Sequence, residues 1–179
     1  FIPCRRSSKV KALVATSEFY GAPTRIGSHH LAHQFARSGI EVYLLSFPVS
    51  PVYRLSPRRT HFERRWSLHK GFVAVEKNLH VHVPNALVPP LPTLVRVAPP
   101  WLDCWHLLTS PRLAKTLSGI PGDGVDFLLT DSLFYPFLPR MLSIGKTVFR
   151  IPDNFSGFWG ANGTLARAER KLIETADKL

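Results

Sequence analysis

Apolar residues along this chain come in short runs separated by segments whose apolar positions recur every three or four residues. That alternation specifies a mostly parallel sheet covered by helices. The run at 10–16, Val-Lys-Ala-Leu-Val-Ala-Thr, has the length of a buried strand. Gly21, Ala22 and Pro23 then mark a loop, and Thr24 is placed to cap a helix. Leu31, Ala32, Phe35 and Ala36 give that helix an apolar stripe, which Gly39 ends. A second run at 40–47 completes a βαβ unit. Such crossovers are right-handed, so the two strands are expected side by side and parallel.

From Val49 to Lys70 the regularity lapses into a basic, aromatic loop or short helix. Residues 72–75 and 79–83 are rich in β-formers and flank a turn at Lys77-Asn78. Six prolines from Pro84 to Pro100 remove backbone donors and make that stretch a connector. Trp101, Leu102, Trp105 and Leu108 return to helical spacing, and Ser110-Pro111 restarts a helix that Gly119 ends. A strand is expected from Val125 to Thr130, then a helix capped by Ser132 that runs to about Ser143 with Pro136 in its first turn. Another strand follows at 146–151, a loop from Pro152 to Gly160, and a helix at 164–177. The fold class is therefore α/β, a Rossmann-like parallel sheet flanked by helices. Residues 1–179 form one domain, expected to be incomplete because the chain stops where a further strand is due.

Composition narrows the setting. Hydrophobic residues make up 45% and charged residues 20%, which is globular, and no run of about 18 apolar residues is present to span a bilayer. Cys4 and Cys104 are the two cysteines, too few for a disulfide framework and without metal-ligand spacing, so a reducing cytoplasm is expected. Phe1 stands where an initiator methionine would, and the chain is expected to begin inside a longer protein. A net charge of +11 favours phosphates, nucleic acids or an anionic membrane as partners.

Open parallel sheets bind ligands beyond the carboxyl ends of their strands. Three loops qualify, at 17–25, 131–135 and 152–160, and they supply Glu18, Arg25, Asp131 and Asp153, with His29 and His30 one turn into the first helix. The first loop carries neither the Gly-x-Gly-x-x-Gly fingerprint nor a P-loop, which disfavours a dinucleotide cofactor. Arg25 beside a helix start suits an anion, or else is a solvated surface residue. His29, His30 and His33 lack the following glutamate of a zinc motif, so metal binding is not expected and polar helix surface is the plainer reading. Asp153, just past a strand and near Arg150, is suited to accept a proton from an attacking hydroxyl, or to cap its loop and pair with Arg150. Arg58, Arg59, Arg64, Arg65 and Trp66 read as a membrane-facing basic patch. The same pattern also suits nucleic acid or a solvated flank, but no nucleic-acid motif accompanies it, so nucleic acid ranks below membrane.

Two segments carry a family resemblance: Phe19-x-x-x-Pro23-x-Arg25-x-x-x-His29-x-x-x-x-Gln34-x-Ala36-x-x-Gly39, and Val148-Phe149-Arg150-x-x-Asp153. In order and spacing they resemble the N-terminal domain of the xanthan glucuronosyltransferase family of GT-B enzymes, over about half of the residues. The resemblance implies inverting transfer of a sugar, glucuronate being the first candidate, from a UDP-sugar to a glycan on polyprenyl diphosphate. It places the protein peripherally on the cytoplasmic face of a bacterial plasma membrane. It makes Asp153 the general base, sets Arg25, His29 and Asp131 beside the acceptor, and gives Arg150 a phosphate or an ion-pair partner. No cofactor is implied, and most donor contacts are expected from a C-terminal domain outside this chain. The competing reading is a non-catalytic, basic anion- or nucleic-acid-binding module.

Overall fold

The computed structural model describes residues 9–21, 27–55, 62–91, 94–95, 98, 100–122, 124–151 and 163–177. The first strand, β1 (Lys11–Ala15), has four of its five residues buried, as a strand covered on both faces requires. Helix α1 (Gly27–Arg37) turns Ala32 and Ala36 onto the sheet. It closes in a Schellman arrangement, with the Ile40 amide donating to Phe35 O at 3.1 Å and the Gly39 amide to Ala36 O at 3.1 Å. Gly39 has φ 89°, a conformation that glycine adopts without a Cβ penalty. Strand β2 (Glu41–Leu45) then pairs in parallel with β1, Lys11 opposite Glu41, as the βαβ reading requires.

A 3₁₀ turn at Pro51–Leu55 and a five-residue helix, α2 (Phe62–Trp66), fill what the sequence left irregular. Strands β3 (Val73–Glu76) and β4 (Leu79–His82) form an antiparallel pair about a turn in which Asn78 takes φ 61°. Helix α3 (Trp101–Cys104) runs into a 3₁₀ turn, Trp105–Leu108, and α4 (Leu113–Leu117) follows. The second half of the sheet comprises β5 (Val125–Thr130) and β6 (Ile144–Phe149), joined through the four-residue α5 (Leu138–Met141). Helix α6 (Gly163–Thr175) is the last element.

The connection between β5 and β6 departs from the continuous helix expected over 132–143. Ser132 does not cap a helix: its hydroxyl accepts the Phe134 amide at 3.2 Å, and Thr130 Oγ1 accepts the Ser132 amide at 3.1 Å. These local side-chain bonds favour turns over helix. Leu133, Phe134, Tyr135 and Phe137 are instead driven into the core.

The six strands lie in the order β3-β4-β2-β1-β5-β6, all parallel except β3 at the edge. Alternation along each strand feeds two cores. Leu13, Tyr43, Leu45 and Leu128 point to the side covered by Trp105, Leu113, Leu117, Leu165 and Leu172. Ala12, Val14, Val42 and Leu44 point to the side covered by α1 and by Phe62. Trp105 is fully buried because its indole N–H finds Phe134 O at 2.8 Å, so no polar atom is stranded there.

Candidate functional site

The strand order reverses at β1, whose neighbours are β2 on one side and β5 on the other. A crevice at such a switch point opens between the carboxyl ends of the diverging strands. The residues just past β1 and β5 are Thr16 and Asp131.

Asp131 has no exposed surface. One carboxylate oxygen accepts the Ser17 amide at 3.3 Å and the other accepts the Ser28 hydroxyl; the Thr16 hydroxyl also bonds the carboxylate. Arg150 Nη1 stands 3.8 Å from the second oxygen and donates to Ser28 Oγ at 3.3 Å. The Ser28 hydroxyl therefore gives its proton to Asp131 and offers its lone pair to Arg150. Backbone bonds hold the same convergence, from the Asp131 amide to Ala15 O at 3.2 Å and from the Arg150 amide to Thr130 O at 2.8 Å. Desolvation pushes the Asp131 carboxyl above its usual range, while Ser28, Ser17, Thr16 and Arg150 pull it back. Glu18, half-buried beside it, is raised first by desolvation and then by the negative charge of Asp131. The arrangement is one buried carboxylate, the Ser28 and Thr16 hydroxyls and one guanidinium joined just past the carboxyl ends of β1, β5 and β6. Chemically it is suited to hold and aim an anion-binding arginine.

The expected site residues fall partly within the described residues and partly outside them. Asp131 and Arg150, 19 positions apart, are brought together, with Ser28 between them. His29 is buried within α1, 2% exposed, its ring edge-on to Tyr20 at 5.9 Å. His33 pairs with Glu76 at 3.0 Å rather than with His29, and no cluster able to hold a metal occurs among the described residues. Arg25, Arg58, Arg59 and Asp153 lie outside the described residues.

Arg65 differs from its expected placement on a membrane-facing surface. It is 7% exposed, donates to Pro48 O at 3.0 Å and lies 3.6 Å over the Phe19 ring. The physical reason is helical phase: α2 packs Phe62 and Arg65 inward, three residues apart, and leaves Glu63 and Arg64 outside. Desolvation lowers the Arg65 guanidinium to about 10. Trp66 is half-buried and stacked between Phe62 at 5.2 Å and His69 at 4.4 Å. Arg64 stays exposed.

Sequence reasoning missed Ser28 and Gly27. A serine at a helix start is an ordinary residue, and only the meeting of α1 with β5 and β6 turns it toward Asp131. A cavity of about 530 Å³ lies between α3, α5 and α6, lined in part by Leu102, Arg140, Arg167 and Leu172. None of its lining residues touches Asp131.

A mostly parallel six-stranded sheet with helices on both faces and a buried polar cluster at its switch point defines a Rossmann-like domain of the kind that forms half of a GT-B fold. Residues 14–179 match the family model described as glucuronosyltransferase GumK, N-terminal domain, and the chain belongs to that family. The family gives it a glycosyltransferase role, with nucleotide-sugar and glycan acceptor as the general partners. No curated protein matches the chain.

Proposed function

We propose that this domain receives the acceptor in an inverting glycosyltransferase that moves a sugar, glucuronate first among the candidates, from its UDP form to a glycan on polyprenyl diphosphate. The observation that carries the reading is the GumK N-terminal family match across 14–179, which takes in the Asp131 cluster. Asp153 follows Arg150 by three residues and is assigned the general base. It takes the proton of the acceptor hydroxyl as that oxygen attacks the anomeric carbon, and the bond to the UDP oxygen breaks with its electron pair leaving on the diphosphate. Arg150, just past the carboxyl end of β6, and Arg25 supply positive charge for phosphate oxygens. His29, two per cent exposed, supports α1 in this reading and does not itself bond a sugar. A donor-binding partner domain supplies the remaining nucleotide contacts.

The domain works at the cytoplasmic face of a membrane, where a basic surface meets anionic headgroups. Support comes from the +11 charge and from Arg58, Arg59 and Arg64 in one short stretch. No helix among the described residues is long and apolar enough to cross a bilayer.

The decisive experiment replaces the proposed base. In the intact two-domain enzyme, Asp153→Asn is expected to lower transfer by on the order of a hundredfold or more while circular dichroism and melting stay as in wild type. Turnover close to wild type would sink the assignment of Asp153.

A further inference from the structure

Two partners of Asp131 need a full carboxylate. Ser17 and Thr16 would be served by the oxygen of an asparagine amide, but the Ser28 hydroxyl donates to the second oxygen, where an amide would place a donor. Arg150 alone among its partners is cationic, and only a negative charge attracts it across 3.8 Å. The guanidinium lies against Gly27 so closely that a Cβ added there would stand 2.5 Å from Nη1 and 2.6 Å from Cζ. Its inner edge is taken by Ser28 and Asp131, yet the side chain remains 37% exposed at the carboxyl end of β6. A helix residue without a side chain, a buried charge and a hydroxyl facing both ways thus combine to fix one half-exposed arginine.

We propose that Asp131 is a positioning residue for the transfer reaction: through Ser28 it holds the Arg150 guanidinium flat over Gly27, so that the exposed edge meets a diphosphate oxygen of a substrate. The inference rests on the transferase reading and adds to it a residue that never touches substrate. The diphosphate comes either from the nucleotide-sugar or from the lipid-linked acceptor.

Two variants of the intact enzyme test this, Asp131→Asn and Gly27→Ala. The first removes the charge and, since an amide nitrogen cannot accept the Ser28 proton, the acceptor that turns the Ser28 lone pair toward Arg150. The second pushes the flexible end of Arg150 aside while leaving Asp131 in place. Both are expected to melt as wild type does and to lose kcat by on the order of ten- to a hundredfold, the size of effect a misplaced group produces. A KM raised for UDP-glucuronate alone assigns the phosphate to the donor; a KM raised for the acceptor alone assigns it to the lipid diphosphate. Arg150→Lys added to Asp131→Asn should cost little more, because the two residues act as one unit. Full additivity, or wild-type kcat in both variants, overturns the proposal.

A second readout does not depend on turnover. In the ¹⁵N-labelled chain the Arg150 Nε–H should be ordered in wild type and mobile in Asp131→Asn; equal order in both overturns the clamp. If the wild-type enzyme transfers nothing from a panel of UDP-sugars, the transferase reading fails and the role in transfer falls with it. The Arg150 resonance then still decides whether the clamp exists.

Discussion

At the scale of single residues, burial rather than composition decides what a basic or titratable side chain does. Arg64 and Arg65 are neighbours of one charge type in one short helix, yet the first is exposed and the second covers Phe19 inside the protein. His82 shows the same effect on a proton. It is 1% exposed, and its Nδ1–H is shared between Leu68 O and Gly71 O, each at 3.2 Å. Desolvation lowers it from 6.5 to about 4. Between those values the unfolded chain binds a proton that the folded protein refuses, so stability rises with pH across the window and is lost as pH falls through it. The full loss is on the order of 3 kcal/mol. Urea unfolding at stepped pH should show this slope between pH 6.5 and 4, and His82→Gln, which keeps a donor without the titration, should flatten it. An unchanged slope in the variant would assign the pH dependence to other groups. None of this was readable from the His-x-His spacing of 80 and 82, which says only that both side chains lie on the same face of a strand.

At the scale of elements, the βαβ unit was legible because three independent signals agree: an apolar run at 10–16, the stripe from Leu31 to Ala36 and the stop at Gly39. Gly39 is the part of that agreement a single substitution can probe. Nothing stands within 4 Å of where its Cβ would be, so Gly39→Ala meets only the backbone cost of φ 89°. It should therefore destabilise by about 1–2 kcal/mol with the native fold kept. A denaturant midpoint equal to that of wild type would show that the turn relaxes freely. The segment 132–143 was misread for an equally definite reason. Ser132 looks like a cap and Pro136 is tolerable in a first turn, but the pull of Leu133, Phe134, Tyr135 and Phe137 into the core wins over helical propensity. The 3₁₀ continuation at Trp105–Leu108 follows the same rule, with the Trp105 indole held by Phe134 O.

At the scale of the whole molecule, the net charge of +11 predicts how the protein meets anions. The chain should co-sediment with phosphatidylglycerol vesicles and not with phosphatidylcholine vesicles. The bound fraction should fall as salt shortens the Debye length from about 30 Å at 0.01 M to 8 Å at 0.15 M. Arg58, Arg59 and Arg64 changed together to glutamate should reduce binding, each residue contributing on the order of 1 kcal/mol near an anionic surface. Equal binding to neutral vesicles would defeat the electrostatic account. A preference for RNA at matched salt, with a steep counterion-release slope, would favour the binding-module reading instead. What the amino-acid order alone determined is the periodicity: which runs become strands, where the first helix stops, and that a strand-end loop carries Asp131. These follow from local sterics and from apolar spacing, both written in consecutive residues. What only the tertiary structure decided is which of those residues meet. Ser28, Asp131 and Arg150 share no local pattern and become one cluster because β5 and β6 line up beside β1 and bring their carboxyl ends to the start of α1. Contacts between distant segments are fixed by strand order and by the closing of two cores, which no short window of sequence contains.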